Sequence, residues 1–158
     1  MTILKGIFFM NIINPYFTVF LLAATPIIEL RGAIPAGVAM GLNPWTVYFL
    51  SVAGSTLPAP FLILFFRKVL DFLEYKGWFK KLTDFLHNHV QKKSHKLKKA
   101  SVLGLFLFVA VPLPSTGAYT GSVLASVFDI RLKYSFPAIL AGNFAAGFIM
   151  MLLSHMVF

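Results

Sequence analysis

The stretch IIELRGAIPAG, which runs from Ile27 to Gly37, places Glu29 and Arg31 two positions apart inside a long apolar region. No other charged residue occurs between Gly6 and Phe66. A charge within a bilayer costs several kcal/mol, so an ionisable residue in a membrane segment is a candidate functional residue. Whether this segment lies in a membrane therefore decides how the rest of the chain is interpreted.

The composition is typical of membrane proteins. Of the 158 residues, 58% are hydrophobic and 12% are charged, whereas soluble domains carry about 25% charged residues. Uncharged runs cover residues 6–28, 32–66 and 101–128, and a helix that crosses a bilayer needs about 20 apolar residues. We therefore predict an all-α integral membrane protein.

Two helix-interrupting residues, Gly32 and Pro35, directly follow the charges. Side chains at positions i and i+2 of a regular helix do not face each other, so we expect the backbone to unwind at RGAIP and both charges to reach a polar cavity. There Arg31 would bind a phosphate or carboxylate, and Glu29 would couple proton movement to transport. A purely structural ion pair is the alternative.

The hydrophobic blocks form two repeats, residues 16–66 and 101–158, on either side of a basic segment, residues 67–100. Each repeat begins with a block that proline and glycine interrupt, at Pro26 and RGAIP in the first and at PLPSTG in the second. A long apolar block follows in each, after a turn at Asn43–Pro44 and after the polar residues Asp129–Lys133. The halves also share patterns in the same order, RGAIPAGVA with TGAYTGSVL and VAGSTLPAPF with LAGNFAAGF. We infer an internal duplication.

The interrupted blocks are predicted to be re-entrant helical hairpins. Each arm has roughly ten residues, which at 1.5 Å per residue is too short to cross about 30 Å of hydrocarbon. Irregular backbone at membrane depth is tolerated where it is buried in protein or lines a wet cavity, and two hairpin tips that meet at mid-membrane would supply one. A kinked helix that crosses completely is the alternative.

Ten of the fourteen basic residues lie between Arg67 and Lys99. Short basic loops remain in the cytoplasm, so residues 67–100 are predicted to be cytoplasmic, and the two repeats to be inverted relative to each other. Apolar residues recur among the lysines at helical spacing, which predicts an amphipathic segment on the membrane surface that contacts anionic headgroups. Nucleic acid is not an expected partner of a hydrophobic chain with one basic loop.

The second tip, PLPSTGAYTG, offers hydroxyl groups and the free amides of a helix start, which bind anions. In the long apolar blocks, Ser55 and Asn143 occupy matching places and could line the same cavity. Asp129 and Arg131 are expected to form a pair at the membrane surface. Beyond Glu29, Arg31, Gly32 and Pro35, the candidate site residues are Ser55, Pro112, Pro114, Ser115, Thr116, Gly117, Tyr119, Thr120 and Asn143.

Several kinds of site are not expected. The chain has no cysteine, which excludes a disulfide framework and a thiolate metal site. The spacing of His87, His89 and His95 matches no zinc motif. No nucleophile elbow, zinc-protease motif or ATP-binding loop occurs in the sequence, so we expect neither an enzyme nor a cofactor.

The segments ELRGAIPAGVAMGLNP, GSTLPAPFLILF, PLPSTGAYTGSVLAS and the later AGN resemble those of the small multidrug export proteins, distant relatives of the DedA (VTT) membrane proteins. Ser55 departs from the pattern, which would have asparagine there. The resemblance implies a protein of a prokaryotic cytoplasmic membrane with two inverted hairpin-plus-span repeats. It also implies that Glu29, Arg31 and the PLPSTGAYTG tip take part in moving lipid phosphates. The DedA second hairpin brings its own arginine, which is missing here, so the single-arginine site is either a weaker phosphate receptor or is completed by a partner in a homodimer.

The leading hypothesis is a secondary transporter or flippase for an amphiphilic, anionic, lipid-phosphate-like substrate, with protons as the candidate coupling ion. One alternative is an exporter of small hydrophobic drugs in which Glu29 pairs with a cationic substrate. Another is a membrane organiser that does not transport and acts through its basic segment on lipids or a partner. An organiser would depend on residues 67–99, whereas a transporter would depend on Glu29, Arg31 and the hairpin tips.

Overall fold

The computed structural model describes residues 14–76, 95–113 and 116–157. These residues form helices and, within those ranges, no strand. The helices are α1 (Pro15–Ala23), α2 (Glu29–Ala39), α3 (Pro44–Thr56), α4 (Ala59–Tyr75), α5 (His95–Ala110), α6 (Ala118–Val127) and α7 (Leu132–Val157). The prediction of an all-α chain is confirmed for this part of the sequence.

Two Asn-Pro pairs start helices. The side chain of Asn14 accepts a hydrogen bond from the backbone N–H of Tyr16, and that of Asn43 accepts from the N–H groups of Trp45 and Thr46. Proline fits the first helical position because its missing N–H would have no helical partner there. The turn expected at Asn43–Pro44 is therefore confirmed as a helix cap.

The first interrupted block breaks at one of the two places that the sequence indicates, near Pro26, and not at RGAIP. Residues 24–28 form the turn between α1 and α2, whereas RGAIP lies inside α2, with Pro35 in the helix interior. The expectation of an unwound backbone at RGAIP is wrong. Ala33, Ile34 and Gly37 of α2 are buried, and this packing outweighs the lost hydrogen bond at Pro35, while the exposed Pro26 has no packing to offset its effect.

The second interrupted block breaks where the sequence indicates. Helix α5 ends at Ala110 and α6 begins at Ala118, on either side of the PLPSTG segment. Helix α6 ends at Val127 and α7 begins at Leu132, across the polar break. Pro114 and Ser115 lie outside the described residues, as does most of the basic segment, residues 77–94. The described part of that segment, up to Tyr75, continues α4 as one helix.

The chain forms two compact units. The first contains the residues up to Leu57 and those from Asn143 onward, and the second contains Pro58–Gly142. In the first unit α1, α2 and α3 pack against one another. A Cβ atom placed at Gly54 of α3 would lie 2.5 Å from the carbonyl oxygen of Phe20, so α1 and α3 approach as closely as two backbones can.

The second unit is built around α6. Ser126 of α6 has its hydroxyl 3.0 Å from the carbonyl oxygen of Ile63 in α4, and Ser122 has its hydroxyl 3.4 Å from that of Ala59. Buried apolar residues surround these contacts: Ala59, Ile63, Leu105, Val109, Ala118, Ala125, Ile130, Ala138 and Ile139. Small side chains that share hydroxyl contacts allow close helix packing in an apolar environment.

In the part of the chain that the structure describes, two helical stretches are long and apolar enough to cross a membrane: Pro44–Leu73, which takes in α3 and most of α4, and Leu132–Val157, which is α7. The arms α1 and α2 have 9 and 11 residues, or about 14 and 17 Å at 1.5 Å per residue, so neither crosses about 30 Å of hydrocarbon alone. The inverted repeat and the re-entrant path remain predictions.

Candidate functional site

The two charges of the opening stretch form an ion pair. Nη1 of Arg31 donates a hydrogen bond to Oε2 of Glu29 at 2.8 Å, and the two side chains are 13% and 10% exposed. Each charge is thus taken out of solvent and placed against an opposite one. Such partly buried pairs hold their geometry because separating them would leave a charge with too little solvation.

An unusual backbone angle makes this pairing possible. Glu29 has φ of +50° and is the first residue of α2. In a regular helix, residues two apart do not face each other, but a left-handed first residue lies outside that geometry and turns its side chain toward Arg31. Non-glycine residues at such angles cost about 1–3 kcal/mol and cluster at functional sites. Glu29 is therefore both the residue with the strained backbone and one of the two charges of the buried pair.

Gly32 and Pro35 lie in the helix beside this pair. A Cβ atom at Gly32 would come 2.5 Å from Cγ2 of Ile28, so the glycine makes room for the turn that precedes α2. Pro35 is half-buried in the interior of α2. Gly32 and Pro35 therefore both lie in helix, and the backbone does not open into a pocket at RGAIP. The chain instead turns at residues 24–28, directly before the ion pair.

Ser55 and Asn143, predicted to line one cavity, are in direct contact. Nδ2 of Asn143 donates to Oγ of Ser55 at 3.1 Å and to Oγ1 of Thr56 at 2.8 Å. Sequence reasoning missed Thr56, although it directly follows Ser55 on the same helix. It also missed Ser51, one turn earlier, which is fully buried. In the described structure neither Oγ of Ser51 nor Oδ1 of Asn143 has a hydrogen-bond partner.

In the second tip, Thr116 makes hydrogen bonds to the backbone of the tip itself. The hydroxyl of Thr116 lies 2.7 Å from the carbonyl oxygen of Val111 and 2.9 Å from that of Leu113. Gly117 is the N-cap of α6 and offers no side-chain bond to the helix start. Pro112, Tyr119 and Thr120 are half-buried around it. The tip belongs to the second unit, and the Glu29–Arg31 pair belongs to the first.

A second acidic residue repeats the backbone angle of Glu29. Asp129 has φ of +48° and begins DIR, whose spacing matches the ELR that begins at Glu29. The ion pair that the described residues show for Asp129 joins it at 3.9 Å to Arg67, and not to Arg131, so the expected Asp129–Arg131 pair is wrong. Nη2 of Arg67 also donates to the carbonyl oxygen of Ile130, because α4 packs beside the turn that contains both residues.

Comparison with known proteins gives one match. A family model described as "putative small multi-drug export protein" matches residues 29–149, from Glu29 of the ion pair to beyond Asn143. Searches of curated proteins and of solved structures found no match. The more distant relation to the DedA proteins stays a prediction. Because the family model covers most of the sequence, the chain belongs to the small multi-drug export protein family.

Proposed function

We propose that this protein is a secondary membrane transporter or flippase for an amphiphilic anionic substrate, and that Glu29 and Arg31 bind the proton and the anionic group. The observation that carries the proposal is the buried ion pair on a strained backbone residue. Residues held at such angles cluster at functional sites, and here the residue also carries one charge of the buried pair. Family membership supports transport in general.

The chemistry of the pair couples the two ligands. While Glu29 is ionised, it neutralises Arg31 at 2.8 Å. Protonation of Glu29 removes that negative charge, and the planar guanidinium can then bind a phosphate or carboxylate with two parallel hydrogen bonds. Release of the anion favours the return of the pair and the loss of the proton. Proton and anion therefore bind together, as proton-coupled transport of an anion requires.

Export of small hydrophobic drugs is the second candidate, and the family description favours it. A cationic drug would pair with ionised Glu29, as the proton does. Arg31 would then compete with the drug for the same carboxylate. The two candidates predict opposite effects of removing the arginine, because Arg31 binds an anionic substrate but competes with a cationic one.

Transport by the purified protein in liposomes distinguishes the candidates. The substrates are a fluorescent short-chain lipid phosphate and a cationic dye, and the variants are Glu29→Gln and Arg31→Gln. For an anionic substrate, we expect Arg31→Gln to abolish lipid-phosphate movement and Glu29→Gln to abolish its dependence on the proton gradient. Lys68→Gln is the control, because this exposed cation of α4 lies outside the proposed site.

Three results would contradict the proposal. The first is wild-type protein that moves no lipid phosphate in either direction. The second is transport that neither variant alters. The third is dye movement that Arg31→Gln increases and Glu29→Gln abolishes, which would establish the drug exporter instead.

We also propose that the protein works as a homodimer, since a site with a single arginine gains a second one from an identical partner. Mass measurement of the purified protein in detergent checks this. A monomeric protein that transports would contradict it.

A further inference from the structure

An apolar groove lies on the second unit, between α5, α6 and the turn that follows α6. Its volume is about 260 Å³. The lining residues are Ser101, Gly104, Leu105, Phe108, Leu124, Phe128 and Ile130. Gly104 leaves its floor open, because a Cβ atom placed there would meet no atom within 4 Å.

The size and the lining favour a hydrocarbon chain. Drug-sized ligands occupy pockets of about 300–1,000 Å³, so this groove is small for them. Ser101 is the polar residue among its lining side chains, and few polar groups are therefore available to orient a polar ligand. Leu103 and Leu107, both exposed on α5, continue the apolar surface beside the groove. An extended acyl chain fits an opening that is narrow and apolar.

One end of the groove is basic. The carbonyl group of Ile130, a lining residue, accepts a hydrogen bond from the guanidinium of Arg67, whose side chain is 26% exposed. Arg131 and Lys133 follow Ile130 directly and are exposed. Arg67, Arg131 and Lys133 outnumber Asp129, the acidic residue of that turn. A phosphate at this end would therefore find an excess of positive charge.

We propose that this groove holds one acyl chain of an anionic phospholipid, whose phosphate binds Arg67 and Arg131. The lipid is a resident of the second unit and does not pass through the Glu29–Arg31 site. It anchors the turn at residues 128–131, where the chain passes from α6 to α7, at the surface of the membrane. The inference rests on other residues than the proposed function, so either one can fail without the other.

Native mass spectrometry of the purified protein, titrated with phosphatidylglycerol or phosphatidylcholine of identical acyl chains, tests the site. Wild-type protein is expected to retain one phosphatidylglycerol with an occupancy well above that of phosphatidylcholine. Gly104→Phe fills the groove and is expected to remove this bound lipid. Leu103→Phe, which adds a ring at an exposed position beside the groove, is the matched control and is expected to leave retention unchanged.

The charged end has its own variants. Arg131→Gln is expected to weaken phosphatidylglycerol binding about fivefold, the effect of one basic residue near a phosphate. It is expected to leave phosphatidylcholine binding unchanged.

Several outcomes would overturn the inference. Equal retention of the two lipids would show that charge does not select the occupant, and unchanged retention in Gly104→Phe would place the lipid elsewhere. Should Gly104→Phe fail to fold, wild-type protein is labelled instead with phosphatidylglycerol that carries a photoreactive group on its acyl chain. Labelling at Phe108 or Leu124 is the expected result. Labelling at other residues would refute the site. Crosslinks from Phe108 or Leu124 to residues 77–94 or to a second copy of the chain, in place of the lipid, would also refute it.

Discussion

Asn143 of α7 donates a hydrogen bond to Ser55 of α3 over a separation of 88 residues in sequence, and the same amide group donates to Thr56. Asn143 is 1% exposed and Ser55 is fully buried. Tyr48 of α3 donates in turn from its hydroxyl to the carbonyl oxygen of Phe144. These hydrogen bonds join α3 to the part of α7 that begins at Asn143 and belongs to the first unit. The groups are buried, so water does not compete for them.

Replacement of Asn143 by alanine is expected to destabilise the first unit. Interhelical hydrogen bonds in membrane proteins contribute about 0.6 kcal/mol on average and up to about 1.7 kcal/mol. Asn143→Ala breaks two of them, so its expected cost is about 1–2 kcal/mol of unfolding free energy. Unfolding by a denaturing detergent, followed by circular dichroism, measures this loss.

A double-mutant cycle identifies its cause. Ser55→Ala combined with Asn143→Ala is expected to show a coupling energy of about 0.5–1 kcal/mol. Ser154→Ala is the matched control, because this buried serine of the same helix donates to Met150 O of its own helix. If the two mutations at positions 55 and 143 are additive, the observed hydrogen bond contributes no stability.

A second prediction concerns the closest helix approach in the first unit. Gly54→Ala is expected to cost about 1–3 kcal/mol, because its Cβ atom would overlap the backbone of α1 and the helices would have to separate. Gly104→Ala, a change of the same chemistry on α5, is expected to stabilise the protein by about 0.5–1 kcal/mol, because the site is open and alanine favours helix. Thermal unfolding of the two variants gives the comparison. Equal effects of both would mean that helix propensity, and not the contact with Phe20, decides the result.

A third prediction tests whether Glu29 and Arg31 depend on each other for stability. Arg31→Met leaves the buried carboxylate without its 2.8 Å partner, and the expected cost is about 3 kcal/mol. Glu29→Gln with Arg31→Met removes both charges and is expected to recover most of that loss. Unfolding free energies of the single and double variants measure the coupling.

The pair at Asp129 serves as the control for this cycle. Its carboxylate is 78% exposed and 3.9 Å from Arg67, so Asp129→Asn is expected to change stability by less than about 1 kcal/mol. A double variant at positions 29 and 31 that is as unstable as Arg31→Met would show that the two charges are stabilised independently.

A fourth prediction concerns the path of α1 and α2 in the membrane. The natural chain has no cysteine, so single cysteines can be labelled with a reagent that does not cross membranes. We expect Pro15→Cys and Thr46→Cys, at exposed positions at the start of α1 and early in α3, to react from the same, external side. Lys68→Cys, at an exposed position in the second half of α4, is expected to react from the cytoplasm, and Met156→Cys, 84% exposed, from outside.

The labelling pattern separates the two possible paths. A re-entrant hairpin returns the chain to the side from which it entered, whereas a kinked helix that crosses completely would place positions 15 and 46 on opposite sides. Labelling of Lys68→Cys from outside would reverse the orientation that the basic segment predicts.

The break between α1 and α2 shows where sequence reasoning failed. Thr25-Pro26 and Ile34-Pro35 are both X-Pro pairs, and the local rules treat them alike. Only the first ends a helix, because Ile34 is fully buried against neighbouring helices while Pro26 and Ile27 are exposed. The choice between them depended on packing partners that are distant in sequence and that no local pattern reveals.

The sequence by itself determined the features that depend on composition and local chemistry: the helical class, the apolar blocks, the Asn-Pro helix starts, the break at PLPSTG and the selection of Glu29 and Arg31. Tertiary structure decided which groups meet. Asn143 reaches Thr56 as well as Ser55 because α7 packs along α3, and Asp129 meets Arg67 because α4 packs beside its turn. Contacts of this kind depend on how the helices pack. Helix packing is decided by the shapes and the burial of many side chains together, and these side chains are distant from one another in sequence.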